Sequence, residues 1–311
     1  MMSRGNLVKQ IVTWLICVAM VLVSMNFSVV VNEVKAAAKT NYLTFTADGE
    51  TSSVTFKYKS GTAMYSTDKG TTWVDCPSGT KITLNANQSV CLKGTNVTTD
   101  SKNHFSMTGT IKASGSVTSL TDGKGTDPNV TLTEDCYSYM FYECSALTQA
   151  PELPATELAE ECYYYMFYLC DILTQAPELP ATELAEACYA YMFRACINLT
   201  QAPELPATTL KEYCYYRMFD SCTSLTQAPE LSAKTVKLGC YKEMFSGCES
   251  LTQAPELPAT ELAEYCYAYM FENCTNLVSL PILPAASYTL YKESGYYYVD
   301  GMLNLGCYSH M

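Results

Sequence analysis

A 26-residue phrase recurs in this chain without one inserted residue, and that fixed step restricts the fold more than any other feature. One copy reads CYYYMFYLCDILTQAPELPATELAEA, from Cys162 to Ala187. The first cysteine of each copy falls at Cys136, Cys162, Cys188, Cys214, Cys240 and Cys266; the second falls at Cys144, Cys170, Cys196, Cys222, Cys248 and Cys274. A unit this short cannot bury its own apolar face, so successive copies have to stack into a solenoid.

Within a unit, Leu158, Cys162, Met166 and Cys170 recur four apart, with Phe167 beside them. That spacing predicts the apolar stripe of a helix of three to four turns. Thr156 is its candidate N-cap, and Glu157 and Glu160 complement the helix dipole. The tail, LTQAPELPA, places Pro177 and Pro180 among Leu173, Ala176 and Leu179, so any strand is short, about Leu-Thr-Gln-Ala. The expected fold class is therefore α/β: a leucine-rich-repeat solenoid of short strand plus helix, preceded by a small all-β sandwich. Cysteines eight apart on a helix are separated by about 12 Å of rise, too far for a bridge. Helices in a stack lie roughly 8–10 Å apart, which also argues against pairing between units. The repeat cysteines read as small buried hydrophobes. The repeats contain no histidine and no CxxC, so no metal or other cofactor is expected.

The unit's M-F-x-x-C, then L-T and A-P (Met166-Phe167, Cys170, Leu173-Thr174, Ala176-Pro177), resembles the BspA-like leucine-rich-repeat surface proteins of bacteria. Their common unit carries A-F-x-x-C, then x-S-L-T and Ile-Pro. The resemblance covers about half the chain. It implies a binding scaffold, an adhesin that recognises host or neighbouring-cell proteins, with the repeat face as the partner surface.

Residues 1–38 read as a signal peptide. Arg4 and Lys9 form a basic start, an apolar run extends from Ile11 to Val31, and Ala36-Ala37-Ala38 offers a cleavage site. Uncleaved, the run is about long enough to anchor in a membrane. The product is expected to be secreted or held at the cell surface.

Residues 39–116 alternate in hydropathy and are predicted to form an Ig-like sandwich, with strands at 42–47, 53–58, 62–67, 80–84, 89–94 and 105–111. Asp68-Lys69-Gly70 marks a turn, and Trp73 belongs to hairpin packing rather than a sugar platform. Cys76 and Cys91 are either a disulfide or two free thiols. Glycan binding by the sandwich, as an accessory module of an extracellular system, is the alternative to protein binding by the repeats.

The solenoid is assigned to residues 117–311. After the sixth copy comes a tyrosine-rich irregular insert, Ser287 to Gly306. Cys307-Tyr308-Ser309-His310-Met311 then restates Cys136-Tyr137-Ser138-Tyr139-Met140. The chain therefore reads as truncated at its C-terminus.

The formal charge of −12 comes from the repeats, where residues 136–291 carry six Lys/Arg against nineteen Asp/Glu, a balance of −13. Nucleic acid, whose phosphates demand a basic face, is not an expected partner. With two histidines and no nucleophile–base or phosphate-loop motif, the chain does not read as an enzyme. The candidate partner-binding residues are two rows in register: Gln149, Gln175, Gln201, Gln227 and Gln253, and Glu152, Glu178, Glu204, Glu230 and Glu256. Tyrosines after each first cysteine, and those two positions later (Tyr139, Tyr165, Tyr191, Tyr269), are expected to pack between adjacent helices rather than to form a ligand platform.

Overall fold

The computed structural model of the chain describes residues 40–279 and 281, together with the backbone of 289–293 and 296–300. The signal segment and the restated Cys307–Met311 lie outside the described residues. From Asn41 onward the sheets and the repeats form one compact unit.

Eight strands precede the repeats: β1 Leu43–Ala47, β2 Ser52–Phe56, β3 Ser60–Ser66, β4 Val74–Asp75, β5 Thr80–Leu84, β6 Ser89–Thr98, β7 Phe105–Thr108 and β8 Ile111–Ser114. One turn of helix follows, α1 Ser119–Asp122, and then β9, Leu147–Gln149. The strands lie near the alternating stretches of the sequence. The exception is the single strand expected over 105–111, which breaks at Gly109 (φ 79°) into β7 and β8. These two strands belong to different sheets, one in order β5-β2-β7 and one in order β4-β3-β6-β1-β8-β9. Phe45 of the larger sheet and Phe56 of the smaller both pack on Phe105, with ring centroids 4.9 and 4.1 Å away.

The repeats are not strand-plus-helix units. No helix forms between Cys136 and Cys274. In the second coil, Cys162, Tyr164, Met166, Tyr168 and Cys170 each donate their N–H three residues back. The residues between them reach the next coil instead: Glu161 N–H to Glu186 O, Tyr163 to Cys188, Tyr165 to Ala190, Phe167 to Met192 and Leu169 to Arg194, at 2.8–3.1 Å. Every backbone donor from 161 to 170 is thus satisfied, half of them between coils, which meets the same demand a helix would. The geometry requires a left-handed residue at every fourth position, seen at Glu161, Tyr165 and Leu169 with φ of 51°, 54° and 57°. An α-helix needs φ near −63° throughout.

The same four-residue period explains why the sequence looks helical. Burial runs in pairs: Cys162 and Tyr163 are buried, Tyr164 and Tyr165 half-buried, Met166 and Phe167 buried, Tyr168 and Leu169 half-buried, Cys170 buried. A helix advances 100° per residue, so a strict period of four would drift about 40° around it at each step. A chain of four-residue turns has no drift.

Close stacking also lets like side chains meet. Phe141, Phe167, Phe193, Phe219, Phe245 and Phe271 form a column with centroids 5.3–5.8 Å apart and near-parallel planes. Phe105 lies 5.3 Å below Phe141 and Phe56 lies 4.1 Å from Phe105, so the column begins inside the sandwich. Tyr137, Tyr163, Tyr189, Tyr215, Tyr241 and Tyr267 form a second buried column at 5.5–6.0 Å. Each such aromatic contact contributes about 0.5–1.5 kcal/mol beyond area burial. Helices 8–10 Å apart would forfeit most of these ring contacts.

The second cysteines lie in the same core. Cys170 S–H donates to Phe141 O at 3.2 Å, and Cys196, Cys222, Cys248 and Cys274 repeat the bond one coil further on each time, at 3.0–3.1 Å. All twelve repeat cysteines are free thiols, and all but Cys274 are buried.

The sandwich is the first rung of this stack. Thr99, Phe105, Ile111 and Val117 donate backbone N–H groups to Cys136, Met140, Ala146 and Glu152 carbonyls at 2.8–3.2 Å. Cys144 S–H reaches Phe105 O at 3.3 Å, the bond that later coils make to one another. β9 extends the larger sheet in parallel beside β8, pairing Leu147 with Ile111. Later units keep only single bridges at this place, Gln175 to Gln201 and Gln201 to Gln227. The flanking prolines account for strands shorter than the expected Leu-Thr-Gln-Ala. Beyond the sixth coil, the segment expected to be irregular contains a hairpin, β10 Thr289–Glu293 with β11 Tyr296–Asp300, in register Thr289 opposite Asp300.

The left-handed positions allow a test by substitution. Ala195 has φ 60° and holds the place that Gly247 (φ 71°) holds two coils later. In a helix, Ala to Gly costs about 1 kcal/mol. In a left-handed position glycine is relieved of about 1–2 kcal/mol of steric strain, part of which is offset by its freedom in the unfolded chain. Ala195→Gly should therefore raise the stability measured by urea denaturation by up to about 1 kcal/mol. A loss of that size would favour a helix at this position.

Candidate partner-binding surface

The tail of each coil builds the candidate surface. Leu147, Leu173, Leu199, Leu225 and Leu251 point into the core, as do Leu153, Leu179, Leu205, Leu231 and Leu257. These two buried leucines fix the segment between them, so the Gln and Glu it carries are turned outward. Gln149, Gln175, Gln201, Gln227 and Gln253 are all exposed, and so are Glu152, Glu178, Glu204, Glu230 and Glu256. The backbone bridges Gln175–Gln201 and Gln201–Gln227 set neighbouring glutamines side by side, at a pitch of about 4.8 Å. The structure thus brings the residues of both expected rows together on one face.

Between the third and fourth coils this face sinks into a groove of about 500 Å³, lined among others by Gln201, Glu204, Pro206, Gln227, Glu230 and Ser232. Ser232 stands where the other coils carry Pro154, Pro180, Pro206 and Pro258. At the sandwich end Glu152 is already engaged, its Oε2 accepting from Asn41 Nδ2 at 2.6 Å. A face of side-chain amides and carboxylates over a rigid backbone can accept and donate hydrogen bonds and attract cationic groups.

The outer tyrosines make a different surface. Tyr139, Tyr165 and Tyr191 are half-buried and stacked, with centroids 5.1 and 4.3 Å apart and planes within 10°. Their ring faces are spent on one another, which leaves edges to solvent. Burial first, and neighbouring phenols or carboxylates second, push the Tyr139 and Tyr165 hydroxyls up to about 12, so both stay neutral phenols. These tyrosines pack between stacked coils, not between the adjacent helices expected.

Sequence reading missed a polar network continuing that column. Arg194 stands at the unit position of Tyr142 and Tyr168, and Arg217 at that of Tyr139, Tyr165 and Tyr191. Arg194 Nε pairs with Asp220 Oδ2 at 2.8 Å, Arg217 with Glu243, and Lys242 Nζ with Glu243 Oε1 at 3.6 Å. The guanidinium of Arg194 lies 5.6 Å from the Tyr168 ring centre, and that of Arg217 lies 5.4 Å from Tyr216. Burial alone would lower Arg194, yet Asp220 holds it above the ordinary arginine value. The available signal was the replacement of tyrosine by Arg at matching positions of successive copies.

In the sandwich, Trp73 is covered. Lys93 Nζ sits 4.2 Å above its ring, Tyr42 packs edge-on at 4.7 Å, and its Nε1 donates to Gly70 O at 3.1 Å. The turn before it is organised by Asp68, whose carboxylate accepts from Thr72 N and Thr72 Oγ1 at 2.8 and 2.6 Å. Those bonds, the Thr72 hydroxyl first, lower Asp68 to about 2.

Cys76 and Cys91 are free, buried thiols and not a disulfide. Cys76 N–H bonds to Ala63 O on one side of β3, while Cys91 on β6 lies opposite Ser66 on the other side. Two strand spacings, about 9.6 Å, exceed the α-carbon separation a disulfide spans.

Among the described residues, no group of three or more His, Cys, Asp and Glu is placed to hold a metal ion, and no helix is long and apolar enough to cross a membrane. Comparison with protein families, with curated proteins and with solved structures finds no match for this chain.

Proposed function

We propose that the chain is an extracellular binding protein, secreted or held at the cell surface, that recognises host or neighbouring-cell proteins through the face bearing the Gln and Glu rows. The observation that carries this reading is the outward, in-register repetition of the same two polar side chains on successive coils, with a groove between the third and fourth. Repetition of one surface along a rigid stack suits an extended partner contact, the use to which solenoids are commonly put. The basic start and apolar run of residues 1–38 support export. The resemblance in M-F-x-x-C and L-T supports the reading only as sequence, because the strand-plus-helix unit it implies does not form.

The test is a quadruple variant, Glu178→Gln, Glu204→Gln, Glu230→Gln and Glu256→Gln, titrated beside the parent chain against a panel of purified extracellular-matrix proteins. Exposed charge pairs contribute about 0.2–1 kcal/mol each, so affinity for a bound partner should weaken by about fourfold or more. The salt dependence of binding should flatten as well. Equal affinity and equal salt dependence in parent and variant would remove the assignment of this face.

A further inference from the structure

The two cysteine columns are spaced for bonds that helical units would forbid. Neighbouring coils are joined by backbone hydrogen bonds flanking each first cysteine: Tyr137 N–H to Cys162 O, Tyr163 to Cys188 and Tyr189 to Cys214, at 3.0–3.1 Å. Chains so joined run about 4.8 Å apart, inside the roughly 4.4–6.8 Å between α-carbons that a disulfide takes. The aromatic columns beside them repeat at 5.8 and 5.4 Å between ring centroids, within that same range. Cysteines of one unit lie eight residues apart along a coil, with Met and Phe between them.

The geometry points to an oxidised form of this protein in which each cysteine pairs with its counterpart one coil away, 26 residues along the chain. A row of six can be fully matched to nearest neighbours in only one way. The first column then holds Cys136–Cys162, Cys188–Cys214 and Cys240–Cys266, and the second column follows the same pattern from Cys144–Cys170. Bonds such as Cys162–Cys188 are absent from the completed form.

The oxidant is a small-molecule disulfide such as oxidised glutathione. One cysteine thiolate attacks it and releases a glutathione thiolate, leaving a mixed disulfide. The neighbouring cysteine thiolate then attacks the protein sulfur and expels the second glutathione. Two electrons pass to glutathione, and the two cysteine protons end on its thiols. Exchange needs a thiolate and access. In the folded reduced chain eleven of the twelve thiols are buried, and burial pushes Cys136, Cys196 and Cys240 up to about 12. The bonds therefore form while coils assemble or open, and the folded reduced stack resists them.

The experiment refolds the full chain from denaturant in a glutathione redox buffer, isolates the monomer, alkylates free thiols and maps disulfides by mass spectrometry without reduction. The expected result is cross-linked peptides 26 residues apart in the stated pattern. Dominant bonds eight residues apart, a dominant Cys162–Cys188 bond, or free thiols throughout when the same buffer oxidises the denatured chain would each overturn it. A second variant, Cys170→Ala, should leave Cys144 alkylated and the remaining bonds of its column unchanged. A new partner for Cys144 elsewhere in the stack would equally count against the pairing rule.

Discussion

Residues 127–311 expressed without the sandwich should lose the cooperative unfolding transition of the full chain. The first coil depends on four backbone donors from outside the repeats: Thr99, Phe105, Ile111 and Val117 bond to Cys136, Met140, Ala146 and Glu152. Removing them leaves four acceptors at an exposed stack end. It also bares Phe141, which rests on Phe105, and takes Thr121 away from the Tyr137 hydroxyl. Each hydrogen bond is worth about 0.5–1.5 kcal/mol net, and an uncovered Phe about 1.5–3 kcal/mol. The total approaches the net stability of a typical domain, about 5–15 kcal/mol. Repeat arrays need a covering end for the same reason. The check is urea denaturation followed by circular dichroism, with light scattering to detect association. A transition for 127–311 with the midpoint of the full chain would show that the repeats stand without the sandwich.

Much of this architecture is written in the sequence, and the part that misleads does so for a physical reason. The 26-residue step announces stacked coils, and the apolar residues it repeats are the ones found in the core: Cys162, Tyr163, Met166, Phe167, Cys170, Leu173 and Leu179. The outward Gln and Glu rows are legible for the same reason, since they sit between two buried leucines. What misleads is the spacing of four, which over two turns drifts only about 80° around a helix and so still reads as one helical stripe. The distinguishing residues are in the fifth copy. Gly239 and Gly247 stand eight apart, at φ 57° and 71°, where the other copies have residues of every size. On a helix both would be a cost; in left-handed positions both are favoured. The run Tyr163-Tyr164-Tyr165 points the same way, being a poor helix former whose three rings would spread over about 200° of a helix. The polar column of Arg194, Arg217 and Lys242 was hidden because its members occupy three different positions of the unit. Only the stacked coils bring them together.

Phe193→Ala should be among the most damaging single substitutions in the chain, at about 3–5 kcal/mol. Phe193 is wholly buried, with Phe167 at 5.4 Å on one face and Phe219 at 5.7 Å on the other. Truncation removes the apolar burial and both ring contacts at once. The void also has little means of closing. The coils above and below are held at fixed spacing by Phe167 N–H to Met192 O and Phe193 N–H to Met218 O, each within 2.9 Å. Phe193→Leu keeps most of the volume and should cost about 1–2 kcal/mol, chiefly the lost ring contacts. Tyr191→Ala, two residues away on the half-buried column, removes a ring stacked on Tyr165 alone among its equivalents and should cost less than Phe193→Ala. The order Phe193→Ala, then Phe193→Leu, then parent, read from urea midpoints, is the expected outcome. In a nearest-neighbour stack a weak central coil divides the array, so the Ala variant should also broaden the transition. A helix in the place of each coil would put equivalent phenylalanines about 8–10 Å apart, and Leu would then substitute for Phe193 with little loss. The Phe193→Leu variant therefore measures the close stacking itself, separately from the burial that both architectures share.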